Sequence, residues 1–213
     1  MPGKLANPTL ELYHGNTLLE SNDDWKQSPN KQAIIDSTIP PTNDLESAIV
    51  ATLSANNSSY TAILRGANNG TGIGVVEAYD LDQTVDSKLA NISTRGFVDT
   101  GDNVMIGGTI ITGSIPAKIL FRAIGPSLTN FGVSNALQDP MLELHDGNGT
   151  LRASNDNWVD SPDAAAISAT TIPPTDSRES AILQNLPPGA YTAIVRGAGS
   201  STGVAVVEAY QLQ

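Results

Sequence analysis

Short runs of alternating apolar and polar residues recur along the chain, and no long stretch keeps an apolar period near 3.6. Alternation with period two marks a strand that buries one face. The pattern predicts strands over residues 9–13, 17–20, 47–53, 60–65 and 74–81, and again over 141–145, 150–153, 180–186, 191–196 and 205–212. His14-Gly15-Asn16 and Asp146-Gly147-Asn148-Gly149 turn the first two strands of each set into a hairpin. A long polar excursion follows in both sets, from Ser21-Asn22-Asp23 to Pro40-Pro41-Thr42 and from Ser154-Asn155-Asp156 to Pro173-Pro174-Thr175. Each excursion holds one predicted helical turn, over 31–36 and 163–169.

The two sets are copies of one another. Residues 60–81 and 191–212 are identical at 15 of 22 positions, and Trp25 and Trp158 stand at equivalent places after matching Asn-Asp motifs. A repeat changes what counts as a domain, and it supplies a control, because a site used by both copies should recur in both. Residues 83–136 have no earlier counterpart. They read as three strands over 89–98, 104–112 and 118–124, parted by turns at Thr100-Gly101-Asp102-Asn103 and Gly113-Ser114-Ile115-Pro116.

These elements imply an all-β protein, a tandem of antiparallel, jelly-roll-like β-sandwiches. Residues 1–82 form the first, incomplete repeat of about five strands. Residues 83–213 form the second, with 83–136 completing or bridging the sandwiches. The count leaves the first repeat with an open edge, and open edges template association unless covered. Three covers fit: strands shared from the middle segment, strands of a neighbouring molecule, or strands upstream.

The chain has 11 Lys and Arg against 22 Asp and Glu, a net charge of −11, which makes nucleic acid a poor partner. Cysteine is absent, so neither disulfides nor thiolate metal sites hold the fold. No apolar run is long enough for a membrane span, and no signal peptide opens at Met1. With the repeat starting straight at Leu5, the chain reads as a fragment of a longer secreted protein.

The string Asp139-Pro-Met-Leu-Glu-Leu-His-Asp-Gly-Asn-Gly-Thr-Leu-Arg-Ala-Ser-Asn-Asp156, followed by Asp176-Ser-Arg178 and Leu186-Pro-Pro-Gly-Ala-Tyr-Thr-Ala-Ile-Val-Arg-Gly197, resembles the bacterial pre-peptidase C-terminal domain, a small β-sandwich appended to secreted proteases and surface proteins. The middle segment, with Ile106-Gly-Gly-Thr109 and Phe121-Arg-Ala-Ile-Gly-Pro-Ser127, is similar to a repeat of very long bacterial surface proteins. The resemblance implies a non-catalytic accessory or adhesive module, stabilised in some relatives by calcium. The chain departs from the family in its longer insertion between Trp158 and Pro173.

For calcium, which takes six to eight oxygens, the candidate ligands are Asn155, Asp156, Asn157, Asp176 and Glu179, with Asn22, Asp23, Asp24 and Glu46 in the first copy. The competing reading is that these residues cap their own loop as Asx-turns. Trp25 and Trp158 are candidates for stacking on a sugar or anchoring a protein ligand; the plainer alternative is a lid with the indole N–H on a loop carbonyl. Glu77 and Glu208, inside Val-Val-Glu-Ala-Tyr, need a cation, and Arg65 and Arg196 on the preceding strands are the expected structural partners.

Catalysis finds little footing. Neither His14 nor His145 recurs in the other copy, Ser127 has no evident base, and no nucleophile elbow, zinc-protease helix or phosphate loop is present. The expected role is thus a non-catalytic extracellular or cell-surface module, structural or adhesive, partnered by neighbouring repeats. Two other readings stay open: a self-assembling fibre subunit completed by strand docking, and a module binding a glycan or matrix protein.

Overall fold

A computed structural model describes residues 3–82, 84, 85, 87 and 89–212. The chain divides into two units, Met1–Lys88 and Leu89–Gln213. Gln83, where the sequence places the boundary between repeats, lies outside the described residues.

The second unit holds β4 (Asn91–Val98), β5 (Met105–Ile111), β6 (Ala117–Ile124), β7 (Pro140–Asp146), β8 (Leu151–Asn155), α2 (Ala164–Ser168), β9 (Ser180–Leu186), β10 (Gly189–Gly197) and β11 (Gly203–Leu212). They make two antiparallel four-stranded sheets, ordered β5-β10-β7-β8 and β4-β11-β6-β9. Consecutive strands mostly change sheet, and this order is that of a jelly roll. The three middle strands all serve this unit, β5 at an edge beside β10, β4 at an edge beside β11, and β6 between β11 and β9.

Period-two burial builds the core. Tyr191, Ala193 and Val195 of β10 point inward, as do Leu142 and Leu144 of β7, and they meet Ala205 and Val207 of β11 and Ile119, Phe121 and Ala123 of β6. Each fully buried Leu or Phe contributes roughly 1.5–3 kcal/mol against exposure. Gly107 on β5 lets the sheets close, because a Cβ there would stand 2.8 Å from Val207 Cγ1. The outer face of the β6 sheet is also covered. Leu120, Ala181 and Leu183 pack with Ile167 of α2, flanked by Trp158, Ile172, Tyr210 and Leu212. A five-residue helix is too short to persist alone, so Ile167 pins α2 by burial.

The first unit holds β1 (Pro8–His14), β2 (Thr17–Asn22), α1 (Lys31–Asp36) and β3 (Tyr60–Gly66), with one described sheet, β2-β1-β3. It repeats the β8-β7-β10 part of the second unit. The irregularity between Leu12 and Tyr13 recurs between Leu144 and His145, and the isolated bridge Lys4–Ile73 recurs as Ala136–Val204.

Two sequence expectations fail in this unit. Residues 47–53 and 74–81, the counterparts of β9 and β11, form no strand. In the second unit those strands are hydrogen-bonded to β6, and β11 to β4 as well. Among its described residues the first unit has no counterpart of β4 or β6, so the same alternating sequence finds no ladder there. Its apolar side chains are less covered than their counterparts: Val76 is 38% exposed where Val207 is 3%, and Leu53 is 37% where Leu186 is 2%. Among the described residues, the buried large apolar side chains of the first unit are Trp25 and Ile34.

Candidate functional site

The most heavily bonded polar side chain of the second unit is Glu179, fully buried just before β9. Its Oε1 accepts from the Gly125 N–H at 3.2 Å, the Ser127 N–H at 3.1 Å and the Ser127 hydroxyl at 2.5 Å. Its Oε2 accepts from the Thr175 and Asp176 N–H groups, both at 3.2 Å. A buried carboxylate is costly unless its lone pairs are filled, and five donors fill these. The loop after β6 is thereby tied to the loop before β9. Gly125 is required because a Cβ would meet the Leu137 carbonyl oxygen at 2.1 Å.

The second constellation corrects the expected ion pairs. Glu208 pairs with Arg122 of β6, not with Arg196: Arg122 Nε and Nη2 donate to Glu208 Oε2 at 2.9 and 2.5 Å, and Nη1 donates to the Ile172 carbonyl at 2.6 Å. The Ser93 and Tyr210 hydroxyls donate to the other carboxylate oxygen at 2.9 and 3.0 Å. Burial, then the adjacent Glu208 charge, raises the Tyr210 phenol above its ordinary pKa. Arg196 instead lies 3.7 Å from Glu143 and donates to the Gly101 carbonyl. In the first unit Arg65 sits 3.5 Å from Glu11, and its expected partner Glu77 lies exposed. In the second unit the cause is that β10 and β11 follow each other in sequence but belong to opposite sheets; in the first unit residues 74–81, which carry Glu77, form no strand.

The Asn-Asp loops cap themselves in the same way in both copies. Asn155 Oδ1 accepts from the Ala181 N–H at 2.9 Å and its amide donates to the Asn157 carbonyl; Asn22 does the same with Ala48 and Asp24. Asn157 donates to Asp156, and Asp24 accepts from Gln27. Asp176 is gripped by Arg178 through two N–H donors at 3.0 and 2.9 Å, which hold its carboxyl below the usual range. Burial, then the Asp139 and Asp160 charges, pushes Asp156 up. Asp23 is exposed, and Glu46 accepts from the Asn43 N–H. Among the described residues no three acid or histidine side chains converge as a metal site. The proposed calcium ligands are thus spread over loop caps, and Glu179 is spent on the lock.

Both tryptophans take the lid geometry. Trp25 donates from its indole N–H to the Asn43 carbonyl and Trp158 to the Asp176 carbonyl, each at 3.1 Å. Trp25 is 6% exposed and Trp158 half-buried, so Trp25 is covered while Trp158 keeps part of its ring at the surface.

Within the second unit the Ser127 hydroxyl donates to Glu179 while His145 contacts Gly149 and Glu143; within the first unit His14 bonds Ser58 and stacks on Tyr60. Beside the Glu179 lock lies a shallow polar depression lined by Pro126, Ser127, Thr129, Asn130, Asp176 and Arg178. Sequence reasoning missed Arg122 and the Gly125-Pro126-Ser127 turn as partners of the repeated glutamates. The available signal was the recurrence of one glutamate per copy, Glu46 and Glu179, directly ahead of the same Ser-Ala-Ile run.

No family model matches the chain, and no curated protein is significantly similar to it. Among solved structures it is similar to the pre-peptidase C-terminal domain of collagenase from Bacillus anthracis, with 12% identity, a TM-score of 0.36, and coverage of 56% of this chain and 88% of that one. The sandwich assignment rests on the two sheets themselves.

Proposed function

We propose that the chain is a non-catalytic β-sandwich module of a secreted or cell-surface protein, acting in structure and adhesion. The observation that carries this reading is how the repeated polar side chains are used. Glu179, the tryptophan N–H groups and the Asn-Asp loops bond within their own unit and hold loops in place. Groups committed in this way support a scaffold that presents surface, not a centre that turns over substrate. The acidic, cysteine-free composition suits an exposed repeat of a surface protein. No helix among the described residues is long and apolar enough to cross a membrane.

The test is retention of the full chain on a panel of immobilised glycans and matrix proteins, with each panel member assayed for chemical change. Retention by at least one member without its consumption is expected. Turnover of any member overturns the non-catalytic reading, and uniform failure to bind overturns the adhesive one.

A further inference from the structure

The internal repeat shows what belongs on the bare surface of the first unit. In the second unit β6 lies between β9 and β11, and the turn that follows it reaches the buried glutamate. Three features of that arrangement persist in the first unit without their counterparts. Residues 47–53 and 74–81 keep the alternating apolar sequence of β9 and β11 but pair with nothing in the described unit. Glu77 and Tyr79 occupy the positions of Glu208 and Tyr210; both are exposed, and the neighbouring Glu77 charge raises the Tyr79 phenol. Glu46 occupies the position of Glu179 and among the described residues accepts only from Asn43, where Glu179 also accepts from Gly125 and Ser127. The apolar face and the two acids therefore ask for one object: a strand with inward apolar residues, an outward arginine, and a Gly-Pro-Ser turn at its end.

We infer that the first unit is an acceptor for a three-stranded polypeptide segment of the same kind as residues 89–127, entering ahead of Leu5, whose third strand docks between 47–53 and 74–81 with its arginine on Glu77 and its Gly-Pro-Ser turn on Glu46. The order is that of the second unit, where the segment ends at Ala136 and the repeat resumes at Leu137. Shape and charge both select it. Strand addition supplies the main-chain bonds, and the paired side chains set the register. A second copy of this chain is the weaker occupant, because the one such segment among its described residues is consumed by its own second unit. Lending that segment would open as much surface as it covered.

The experiment joins a second copy of residues 83–136 directly ahead of Leu5 in the full chain and follows amide exchange by mass spectrometry. In the unmodified chain, peptides covering 47–53 and 74–81 should exchange rapidly. In the fusion they should slow by about 100-fold or more, toward the protection of 180–186 and 203–212 in the same molecule. Glu77→Gln should remove about tenfold of the gained protection over 74–81 in the fusion and change nothing in the unmodified chain. Unchanged exchange over 47–53 and 74–81, with 180–186 and 203–212 still protected, overturns the inference. If the fusion loses protection everywhere, residues 83–136 added in trans to the unmodified chain read the same peptides, and failure to protect them overturns it equally. Protection that rises with concentration in the unmodified chain, together with a dimer by light scattering, overturns the choice of occupant in favour of a second copy.

Discussion

Glu208 and Arg122 are direct partners across the β11–β6 register, and the arginine places two N–H donors on one carboxylate oxygen while its third group reaches the Ile172 carbonyl. The pair therefore ties three things at once: two central strands, and the excursion that covers their outer face. Both side chains are mostly buried, 14% and 12% exposed. Removing one charge from such a pair leaves the other unpaired. Glu208→Gln should destabilise the second unit by about 3 kcal/mol, whereas replacing both partners, Arg122→Met with Glu208→Leu, should recover most of that loss. Urea unfolding of the single and double variants measures the difference. A single-variant cost near that of an ordinary surface change, under about 0.5 kcal/mol, would contradict the geometry.

Glu179 and Glu46 offer a controlled comparison within one molecule. Glu179→Ala strands the donors of Gly125, Ser127, Thr175 and Asp176. At about 1–3 kcal/mol for each buried group left without a partner, that loss should approach the whole stability of the unit. Glu46→Ala removes one bond at a half-exposed position and should cost about 1 kcal/mol or less. Thermal melts of the two variants should differ sharply, with the second unit's transition lost only in the first variant.

The strand pattern was legible wherever a partner strand existed. The alternation over 141–145, 180–186, 191–196 and 205–212 marks β7, β9, β10 and β11 to within a few residues, because each buries one face against the opposite sheet. The same alternation over 47–53 and 74–81 gave the wrong result for a non-local reason. A strand is completed by hydrogen bonds to another segment, and nothing within those residues reports that β4 and β6 have no counterpart among the described residues of the first unit. The tryptophan lids were legible too, since an amphipathic ring beside a polar loop seeks a carbonyl. Arg122 was not: sequence proximity pointed to Arg196, and only the sheet order separates β10 from β11.

The pH response follows from Asp176. Arg178, by side-chain hydrogen bonds first and its backbone N–H second, holds this carboxyl below its ordinary value. A depressed acid contributes stability that is present above its unfolded pKa and is lost as pH falls through the folded value. Arg178→Ala should therefore move the acid-unfolding midpoint of the second unit to higher pH while leaving its melting temperature at neutral pH lowered only modestly. Fluorescence of Trp158, bonded to the Asp176 carbonyl, reports the transition, and an unmoved midpoint counts against this assignment.

Calcium provides a separate check on the loops. Asn155 Oδ1 and both Asp176 carboxylate oxygens accept from protein donors, the Asn157 amide donates to Asp156, and Glu179 is buried. A ligand that binds only the folded state raises its melting temperature. Millimolar calcium added to chelated protein should leave the melt where it was. A clear rise that Asp156→Ala abolishes would favour the metal reading over the loop caps.

The division of the fold predicts how the chain behaves when cut. Residues 89–213 contain all eight strands of the jelly roll, both hydrophobic clusters and the Glu179 lock. The described residues of 1–88 form one three-stranded sheet, with Trp25 and Ile34 as their buried large apolar side chains. A sheet of three strands with one face uncovered gains little apolar burial to offset the entropy of ordering its loops. Residues 89–213 expressed alone should unfold in one cooperative, reversible transition close to that of the whole chain. Residues 1–88 alone should show no cooperative melt and should bind a hydrophobic dye or aggregate. A sharp, monomeric transition from residues 1–88 would mean that the exposed alternation over 47–53 and 74–81 needs no partner, and that the first unit stands as an independent domain.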